Sequence, residues 1–326
     1  MMKALTFSIP EANSGTPSRE LVDLPVPHVE RGGVLVRVHF AGLNYIDLET
    51  SRGEHNKAVA RALKRSPVAS GIEMAGVAET DGERIKKGDR VCGYTQIFKG
   101  PFYHAQYVSA PEKNLAVVPE STSLEGATSI IGGALTSINA LERIARLNRN
   151  HRVLITGATG SVGVTGVQLA AYLNAEVAAV CHSTQCEFAL SQGASQAFAY
   201  DKSEMPEAQN QFDLVFDTAP SLSFAAAGKF LTPRGRYIST MPHRDVAGFA
   251  RSLVSMRKWG FLLEYDTDAR RMERLRTLIA DGAFPPTIDS IYPLEDAAAA
   301  FARQERPGKK GKILLDMRGS RELQDA

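Results

Sequence analysis

The sequence predicts an α/β protein of two domains, one rich in β-strands and one built on a parallel sheet wound with helices. The chain has 326 residues, which exceeds the size of roughly 250–300 residues at which single hydrophobic cores stop growing. Up to residue 118 short strands dominate, whereas strands and helices alternate afterwards. Such alternation is typical of a parallel sheet covered by helices.

The β-rich part is predicted from alternating polar and apolar residues. Residues 34–40 alternate in this way, and shorter strands are predicted at 76–78 and 90–92. Asp81-Gly82 and Lys87-Gly88-Asp89 lie between them as turn signals.

After residue 118 the elements follow one another in a regular order. A helix is predicted over 124–147, and further helices over 161–173, 185–192, 222–231 and 294–303. Strands are predicted at 152–156, 176–180, 197–200, 213–217, 235–239 and 312–316. Because the last strand is expected to return to the first domain, we expect the β-rich domain to comprise 1–118 plus 284–326. The parallel-sheet domain then comprises 119–283.

Composition excludes several function classes. The net charge of +2 is too balanced to indicate a nucleic-acid or anionic-membrane partner, and no apolar run is long enough to span a bilayer. Lys309, Lys310 and Lys312 adjoin Pro307-Gly308, so we expect them to form a solvated turn. Three cysteines in no metal-binding pattern favour a reducing, cytoplasmic location.

The glycine-rich segment LITGATGSVG predicts a nucleotide site. It joins a short apolar strand to an apolar-periodic helix, with glycines at 157, 160 and 163. Glycines allow the backbone to approach a pyrophosphate, and the helix N-terminus offers N–H groups to it. We therefore expect this doubly wound, Rossmann-type sheet to bind a dinucleotide through the following residues: Gly157, Ala158, Gly160, Ser161, Val162 and Gly163.

The same motif also resembles the fingerprint of short-chain dehydrogenases, but that interpretation fails twice. Those enzymes begin with the glycine turn, whereas here about 150 residues precede it. They also need a Tyr-x-x-x-Lys pair, and no tyrosine after the turn has a lysine four positions later: Tyr172, Tyr200, Tyr237, Tyr265 and Tyr292.

Several separated segments resemble the medium-chain dehydrogenase/reductase superfamily, with greatest similarity to its quinone oxidoreductase (zeta-crystallin-like) branch. They are AGLNYIDLETSRG from Ala41, SGIEMAGVAETDGERIKKGDRVCG from Ser70, GGALTSINAL from Gly132, FDLVFDTA from Phe212 and GKILLD from Gly311. The resemblance covers nearly the whole chain. It implies a Rossmann domain joined to a β-rich, GroES-like domain that carries the catalytic site.

The resemblance also allows the zinc ligands of the superfamily to be compared with this sequence. Zinc-dependent members use Cys, His and Cys, and the matching positions here are Asn44, Ile72 and approximately Gly132. The four-cysteine lobe that holds a structural zinc is missing, because the first domain has only Cys92. We therefore expect no metal, and we expect Glu73 to be a structural carboxylate.

The expected cofactor is NADP(H). NAD-preferring sites place an acidic residue at the end of the second strand to bind the ribose 2′-OH, but that strand is followed by His182, Ser183 and Thr184. These three side chains can donate to a 2′-phosphate, although the loop has no arginine or lysine. The resemblance places Tyr200 near the same loop and Thr136 against the nicotinamide.

At the position of the first zinc ligand, Asn44 can donate to a substrate carbonyl or to the nicotinamide amide, or it can be a turn-forming residue of the Gly-Leu-Asn loop. Tyr45 can line the substrate pocket or stack on a quinone, and packing in the core is the alternative. Asp47 is expected to be a cap, and Tyr94 and Tyr103 to be buried. Without a Lewis acid, the acceptors that remain are conjugated ones, so we expect an NADPH-dependent quinone reductase.

Two other functions stay open at this stage. A 2-alkenal or enone reductase shares every motif, and a non-enzymatic NADPH-binding role exists among relatives. The segment 54–66 is expected to shape the substrate pocket. Relatives commonly form dimers through the edge strand of the coenzyme domain, so we expect a homodimer through residues 257–263, with Trp259 either interfacial or in the core.

Overall fold

The computed structural model describes residues 1–7, 19–52, 68–96, 100, 102–207, 210–260, 262 and 267–319. The strands in this part of the chain are β1 (Met2–Phe7), β2 (Arg19–Leu24), β3 (Gly33–Leu43), β4 (Val68–Ala69), β5 (Glu73–Ala78), β6 (Arg90–Tyr94), β7 (Tyr107–Pro111), β8 (Leu115–Val117), β9 (Arg152–Thr156), β10 (Glu176–Cys181), β11 (Gln196–Ala199), β12 (Phe212–Asp217), β13 (Leu231–Ser239), β14 (Lys258–Gly260), β15 (Ile288–Pro293) and β16 (Lys312–Asp316). The helices are α1 (Tyr45–Ser51), α2 (Leu124–Ser137), α3 (Ser161–Tyr172), α4 (Cys186–Ser191), α5 (Phe224–Ala227), α6 (Val246–Val254), α7 (Ala269–Ala280) and α8 (Ala297–Glu305).

The β-rich domain contains two sheets. A three-stranded antiparallel sheet has the order β2-β1-β4, and a seven-stranded sheet has the order β15-β16-β3-β5-β6-β8, with β7 also paired to β3. Alternate side chains of β3 are buried, as its sequence pattern predicts. The C-terminal strand β16 pairs antiparallel with β3, with Ile313 opposite Leu43, so the end of the chain does return to the first domain.

The second sheet is parallel and doubly wound. Its six strands lie in the order β11-β10-β9-β12-β13-β14, so the chain starts at the central strand β9, winds outward to one edge and then to the other. This is the strand order of dinucleotide-binding folds. Helix α2 packs against β5 and β6 on one side and against α3 on the other, which joins the two domains through one apolar core.

Four predicted helices differ from the structure by more than one residue in their extent. The helix over 294–303 is α8, preceded by a short 3₁₀ turn, Leu294–Asp296. The helix over 124–147 is α2 followed by a π-helix, Ile138–Ala145. The helix over 222–231 is reduced to α5, because Ser223 caps its start and the long strand β13 already begins at Leu231. The helix over 185–192 is α4, preceded by a short 3₁₀ turn, Ser183–Gln185.

The predicted edge strand near residue 257 is β14, which pairs with β13 alone among the described strands and ends the six-stranded sheet. Trp259 on this strand is buried, and its ring stacks on Phe224 at a centroid distance of 5.9 Å. The core interpretation of Trp259 is therefore confirmed. The segment 54–66 lies outside the described residues. Within the described ranges, no helix is both long and apolar enough to cross a bilayer.

Candidate active site

A cavity of about 1190 Å³ opens between the seven-stranded and the six-stranded sheets. It gathers most of the residues that the sequence predicted for the site. Those that line it are Asn44, Tyr45, Thr136, Gly157, Gly160, Ser161, Val162, Gly163, His182 and Tyr200. Ala158, Ser183 and Thr184 do not line it.

The glycine turn after β9 forms one wall of the cavity. Gly157 has a φ of +62°, a left-handed conformation that glycine adopts without strain. A Cβ at Gly163 would collide with the carbonyl oxygen of Gly157, so the turn can close only with glycine there. At Gly160, which precedes α3, a Cβ would meet nothing nearer than 3.6 Å. The backbone is therefore open to the cavity where helix α3 begins, and a pyrophosphate fits this position.

Ala158 serves the turn differently from the prediction. It is buried, and its N–H donates to the carbonyl oxygen of Val180 at 3.2 Å. This bond ties the turn to strand β10. Ala158 therefore shapes the turn from behind and does not face the cavity.

The cavity lies where the winding of the parallel sheet reverses direction. Strands β10 and β12 flank β9, and the residues that follow the carboxyl ends of these strands line the cavity, among them Gly157, His182 and Thr218. Ligands of open α/β sheets bind in this crevice. The fold and the glycine turn thus indicate the same site.

The loop after β10 has the expected residues, but their donors are largely engaged. Both the N–H and the hydroxyl of Ser183 donate to the Asp201 carboxylate at 2.7 Å. The hydroxyl of Thr184 lies 3.0 Å from His182 Nδ1. The His182 and Tyr200 rings meet edge to face at 5.8 Å and line the cavity.

Asp201 was not anticipated at this loop. The loop itself contains no acid, as the sequence indicates, but Asp201 follows β11 and brings a carboxylate to Ser183 from the neighbouring strand. Hydrogen bonds from Ser183 and the nearby His182 hold the pKa of Asp201 below its ordinary value. The carboxylate is therefore ionised at neutral pH, next to the residues predicted to donate hydrogen bonds to a 2′-phosphate.

A buried polar network surrounds Asn44, the residue that matches the first zinc ligand of the superfamily. Lys312 Nζ donates to the Glu73 carboxylate and, at 2.7 Å, to Asn44 Oδ1. Asn44 Nδ2 donates to Glu73 Oε1 at 2.8 Å. The side chains of Lys312 and Glu73 are 1% and 0% exposed, so this ion pair is fully removed from water. The expectation of a solvated turn is wrong for Lys312.

Close packing fixes the Glu73 carboxylate within this network. A Cβ on Gly42 or on Gly132 would collide with its oxygens, so a larger residue at either position would force the carboxylate to move. Glu73 is thus the structural carboxylate that was expected, and its partner is a lysine that the sequence pattern did not reveal.

These residues do not fit a zinc ion. Asn44 is bound on both sides of its amide, Ile72 is aliphatic and Gly132 has no side chain. The Lys312 ammonium already places a positive charge beside Glu73. Across the described ranges, no three His, Cys, Asp or Glu side chains converge as metal ligands would.

The remaining predicted residues take varied positions. Tyr45 is 43% exposed and lines the cavity mouth, so it does not pack in the core. Thr136 lines the cavity and donates its hydroxyl to the carbonyl oxygen of Gly132 at 2.9 Å. Asp47 accepts from the Asn44 N–H at 2.8 Å and so caps α1 as predicted. Tyr94 and Tyr103 are both buried, and Tyr94 also lines the cavity.

Sequence reasoning missed several charged residues that line the cavity. Arg244 approaches Glu49 at 3.7 Å, and Arg52 pairs with Glu305 at 3.0 Å. Arg143 also lines the cavity, on the π-helix after Thr136. α-Helical spacing could not have identified it, because the helix changes to π-helical geometry between Thr136 and Arg143.

Two protein-family models match the chain. The model described as "Alcohol dehydrogenase GroES-like domain" matches residues 30–120, and "Zinc-binding dehydrogenase" matches residues 192–315. Among curated proteins, the chain is 27% identical to the bovine (Bos taurus) "Quinone oxidoreductase-like protein 2", over 92% of this chain and 88% of that protein.

Solved structures show the same relationship. The quinone oxidoreductase from Coxiella burnetii superposes with a TM-score of 0.83 at 25% identity, over 97% of this chain and 99% of the other. A mycobacterial protein in complex with NADPH superposes with a TM-score of 0.78 over 97% and 99% of the two chains, and at 22% identity this match shows the fold alone. The glycine turn, the strand order, both family models and these relatives agree. The chain is therefore an oxidoreductase of the medium-chain dehydrogenase/reductase superfamily and belongs to its quinone oxidoreductase branch.

Proposed function

We propose that the protein is a zinc-independent reductase that transfers hydride from NADPH to a quinone. One observation carries this proposal. The Asn44–Glu73–Lys312 network includes the position that matches the first zinc ligand and lies beside Ile72 and Gly132, which match the other two, at the edge of the cavity that contains the glycine turn. When bound, the nicotinamide supplies the hydride. The residues of this chain then need only to orient the acceptor and to stabilise the charge that develops on it.

Asn44 is the residue proposed to orient the acceptor. Its Oδ1 accepts from Lys312 and one of its two amide hydrogens goes to Glu73. The second amide hydrogen remains to donate to a carbonyl oxygen in the cavity that Asn44 lines. Because both sides of the amide are bound, it is held in one orientation. A fixed donor of this kind costs no reorganisation when negative charge develops on the substrate oxygen.

Lys312 is proposed to contribute electrostatically. Its ammonium lies one hydrogen bond behind Asn44 and is almost fully buried. A positive charge in a site with little water stabilises a nearby oxyanion more strongly than it would in solution. A quinone spreads the developing charge over a conjugated system. The stabilisation that Lys312 provides through Asn44 is therefore sufficient without a Lewis acid. Solvent protonates the reduced product.

NADPH is proposed as the cofactor in preference to NADH. The support is the loop after β10, which carries no acid of its own, and the His182 and Tyr200 rings, which face the cavity. Asp201 opposes this preference, because its carboxylate occupies the Ser183 donors. NADPH binding then requires the N–H and the hydroxyl of Ser183 to leave the Asp201 carboxylate and to donate to the 2′-phosphate instead. An affinity for NADPH that does not exceed the affinity for NADH would contradict the proposal.

Initial rates of NADPH oxidation across an acceptor panel test the reaction. We expect turnover with 1,4-benzoquinone and 9,10-phenanthrenequinone to exceed turnover with short 2-alkenals. The reverse order would instead establish the enone reductase alternative. NADPH binding without oxidation by any acceptor would favour a non-enzymatic role. A Gly160→Val variant is the control, because its side chain would enter the space left for the pyrophosphate; it should lose NADPH binding while remaining folded.

The role proposed for Asn44 predicts a moderate loss of activity. Asn44→Ala removes the oriented donor but leaves the cofactor site intact, so turnover should fall by less than about a hundredfold, the low end for a group that assists proton or charge movement. Steady-state kinetics with the preferred quinone provide the measurement. Complete loss of activity in a folded variant would show that Asn44 does more than orient the acceptor.

We also propose that two copies of the chain pair along the β14 edge, and that the protein works in a reducing, cytoplasmic compartment. Helix α6 lies beside β14 and exposes the apolar side chains of Val246, Leu253 and Val254, which are 70%, 68% and 91% exposed. An apolar face next to a strand edge that has no partner among the described residues suits a second copy of the chain. The three cysteines are free thiols, in keeping with a reducing compartment.

A further inference from the structure

Two cysteines lie next to each other at the cofactor loop. Cys181 ends β10 and Cys186 begins α4, and their sulfur atoms are 3.6 Å apart. The four residues between them, 182–185, form the loop that carries His182 and Ser183. Two thiols at this distance need to move by only about 1.5 Å to reach the S–S bond length of a disulfide. Nothing in the reaction proposed above uses either thiol.

The two thiols differ in their surroundings. Cys181 is 1% exposed, and burial together with the neighbouring Cys186 raises the pKa of its thiol to about 12. Cys186 is only half-buried. Since the thiolate is the reactive form and access is required, Cys186 is the sulfur that a dissolved oxidant can reach. Cys181 lies beside Cys186 and is the thiol that would resolve an oxidised Cys186 by forming a disulfide with it.

We propose that Cys181 and Cys186 form a peroxide-sensitive dithiol pair that controls the cofactor loop. The Cys186 thiolate attacks one oxygen of hydrogen peroxide, the O–O bond breaks, and a sulfenic acid and hydroxide form. The Cys181 thiol then attacks the sulfenic sulfur, its proton leaves with the hydroxyl as water, and the disulfide forms. The two electrons lost by the thiols reduce the peroxide to water.

Disulfide formation would disturb the loop that binds the cofactor, and this step rests on the proposed function. Drawing Cys186 towards Cys181 displaces the start of α4 and the residues between the two cysteines. The loop makes specific contacts that such a shift would break: Gln185 accepts from Thr159 at 3.0 Å, and Ser183 is bound to Asp201. We therefore expect the oxidised protein to bind NADPH more weakly. Because coupling between sites is reciprocal, bound NADPH should protect the thiols.

Mass spectrometry of the whole protein after peroxide treatment tests the first step. Trypsin releases residues 153–202 as one peptide with both cysteines, because no lysine or arginine lies between Arg152 and Lys202. After oxidation and alkylation, this peptide should carry no alkyl group and lack two hydrogens, and dithiothreitol should restore double alkylation. Cys181→Ser and Cys186→Ser should each abolish the change, whereas Cys92→Ala, at the remaining cysteine, should preserve it. A peptide that stays doubly alkylated overturns the proposal.

Equilibrium NADPH titration of the reduced and oxidised protein tests the second step. We expect the dissociation constant to rise at least about fivefold on oxidation, the lower end of typical coupling between sites. The Cys186→Ser variant should show no peroxide effect. Equal NADPH affinity of the reduced and the oxidised protein would overturn the proposal that the dithiol pair controls the cofactor loop. If the reduced protein does not bind NADPH, the proposed function fails, while the peptide masses still decide whether the dithiol pair exists.

Discussion

At the residue scale, the chemistry proposed for this protein depends on one buried lysine. Lys312 balances Glu73 and holds Asn44 in position, and all three side chains are fixed by one another. A buried ion pair is not in itself a source of stability, because removing two charges from water offsets their attraction. Removing only one partner is costly, however, since the other charge is left buried and uncompensated.

Lys312→Met should therefore destabilise the protein more than loss of the whole pair. We expect the free energy of unfolding to fall by about 3–5 kcal/mol for the single variant, because Glu73 loses its counter-charge. The double variant Glu73→Gln/Lys312→Met should lose less, since no buried charge remains. Urea unfolding of the three proteins provides the measurement. A double variant that is destabilised as much as Lys312→Met would contradict this, because removing the Glu73 charge would then recover no stability.

Asp201 should reduce discrimination in favour of NADPH. Its ionised carboxylate stands beside the proposed 2′-phosphate position and occupies the Ser183 donors. Asp201→Asn should raise the ratio of NADPH to NADH affinity on the order of fivefold, the effect of one unit charge at contact distance in water. Titration of both cofactors gives the ratio, and the exposed Asp281→Asn variant is the control. An unchanged ratio would remove Asp201 from cofactor selection.

Lys312 and Asp201 also show what could and could not be predicted about the site from the sequence. Asn44 and the glycine turn were predictable because local motifs carry them. Lys312 and Glu73 lie 239 residues apart in the sequence, and lysine is seldom fully buried. The role of Lys312 at the site is therefore visible only in the tertiary structure. Asp201 reaches Ser183 from the neighbouring parallel strand, 18 residues later, and a rule that inspects only the end of the second strand overlooks it.

At the element scale, local sequence signals predicted where elements lie better than where they end. Strands β9 and β16 have the predicted bounds, because apolar residues bounded by turns define both. The long helix predicted over 124–147 instead changes to π-helical geometry at Ile138. Periodicity alone does not reveal such a change, because the apolar pattern continues through it. π-Helical turns often occur at functional sites, and this one carries Arg143 into the cavity.

The connection between β7 and β8 illustrates how a carboxylate can organise a turn. Glu112 Oε1 accepts from the N–H groups of Arg84 and Ile85, both at 2.9 Å. Burial alone would raise the pKa of Glu112, but these N–H groups and the Arg84 guanidinium lower it below its ordinary value. The contribution of Glu112 to stability is therefore complete above the ordinary glutamate pKa. It is lost as the pH falls through the lowered native pKa.

Glu112→Gln should remove this acid-sensitive contribution. At pH 7 we expect the free energy of unfolding to fall by about 1 kcal/mol, the difference between a charged and a neutral hydrogen bond. At acid pH the variant and the natural protein should converge, because Glu112 is then protonated in both states of the natural protein. Urea unfolding across this pH range provides the measurement, with the exposed Glu120→Gln as control. A destabilisation that does not vary with pH would contradict the assignment.

At the scale of the whole molecule, the C-terminal segment connects the two domains at the site. The N–H of Gly311 donates to the carbonyl oxygen of Thr159 in the glycine turn at 2.8 Å, and the next residue, Lys312, reaches Glu73. The return of the chain was predictable from the strand over 312–316. Its contact with the turn was not, because a β-bridge between Gly160 and Gly311 joins segments that share no sequence signal.

The apolar surface beside β14 predicts how two molecules pair. Leu253 and Val254 are 68% and 91% exposed on α6, next to a strand edge with no partner on its outer side within the described sheet. If this surface is the interface, the natural protein should have twice the chain mass of 35.3 kDa in light scattering after gel filtration. Leu253→Glu/Val254→Glu should then be monomeric, because two carboxylates would be buried without partners. Leu190→Glu, at a 44% exposed leucine on α4, should remain dimeric. A natural protein that elutes as a monomer, or a double variant that still pairs, would place the interface elsewhere.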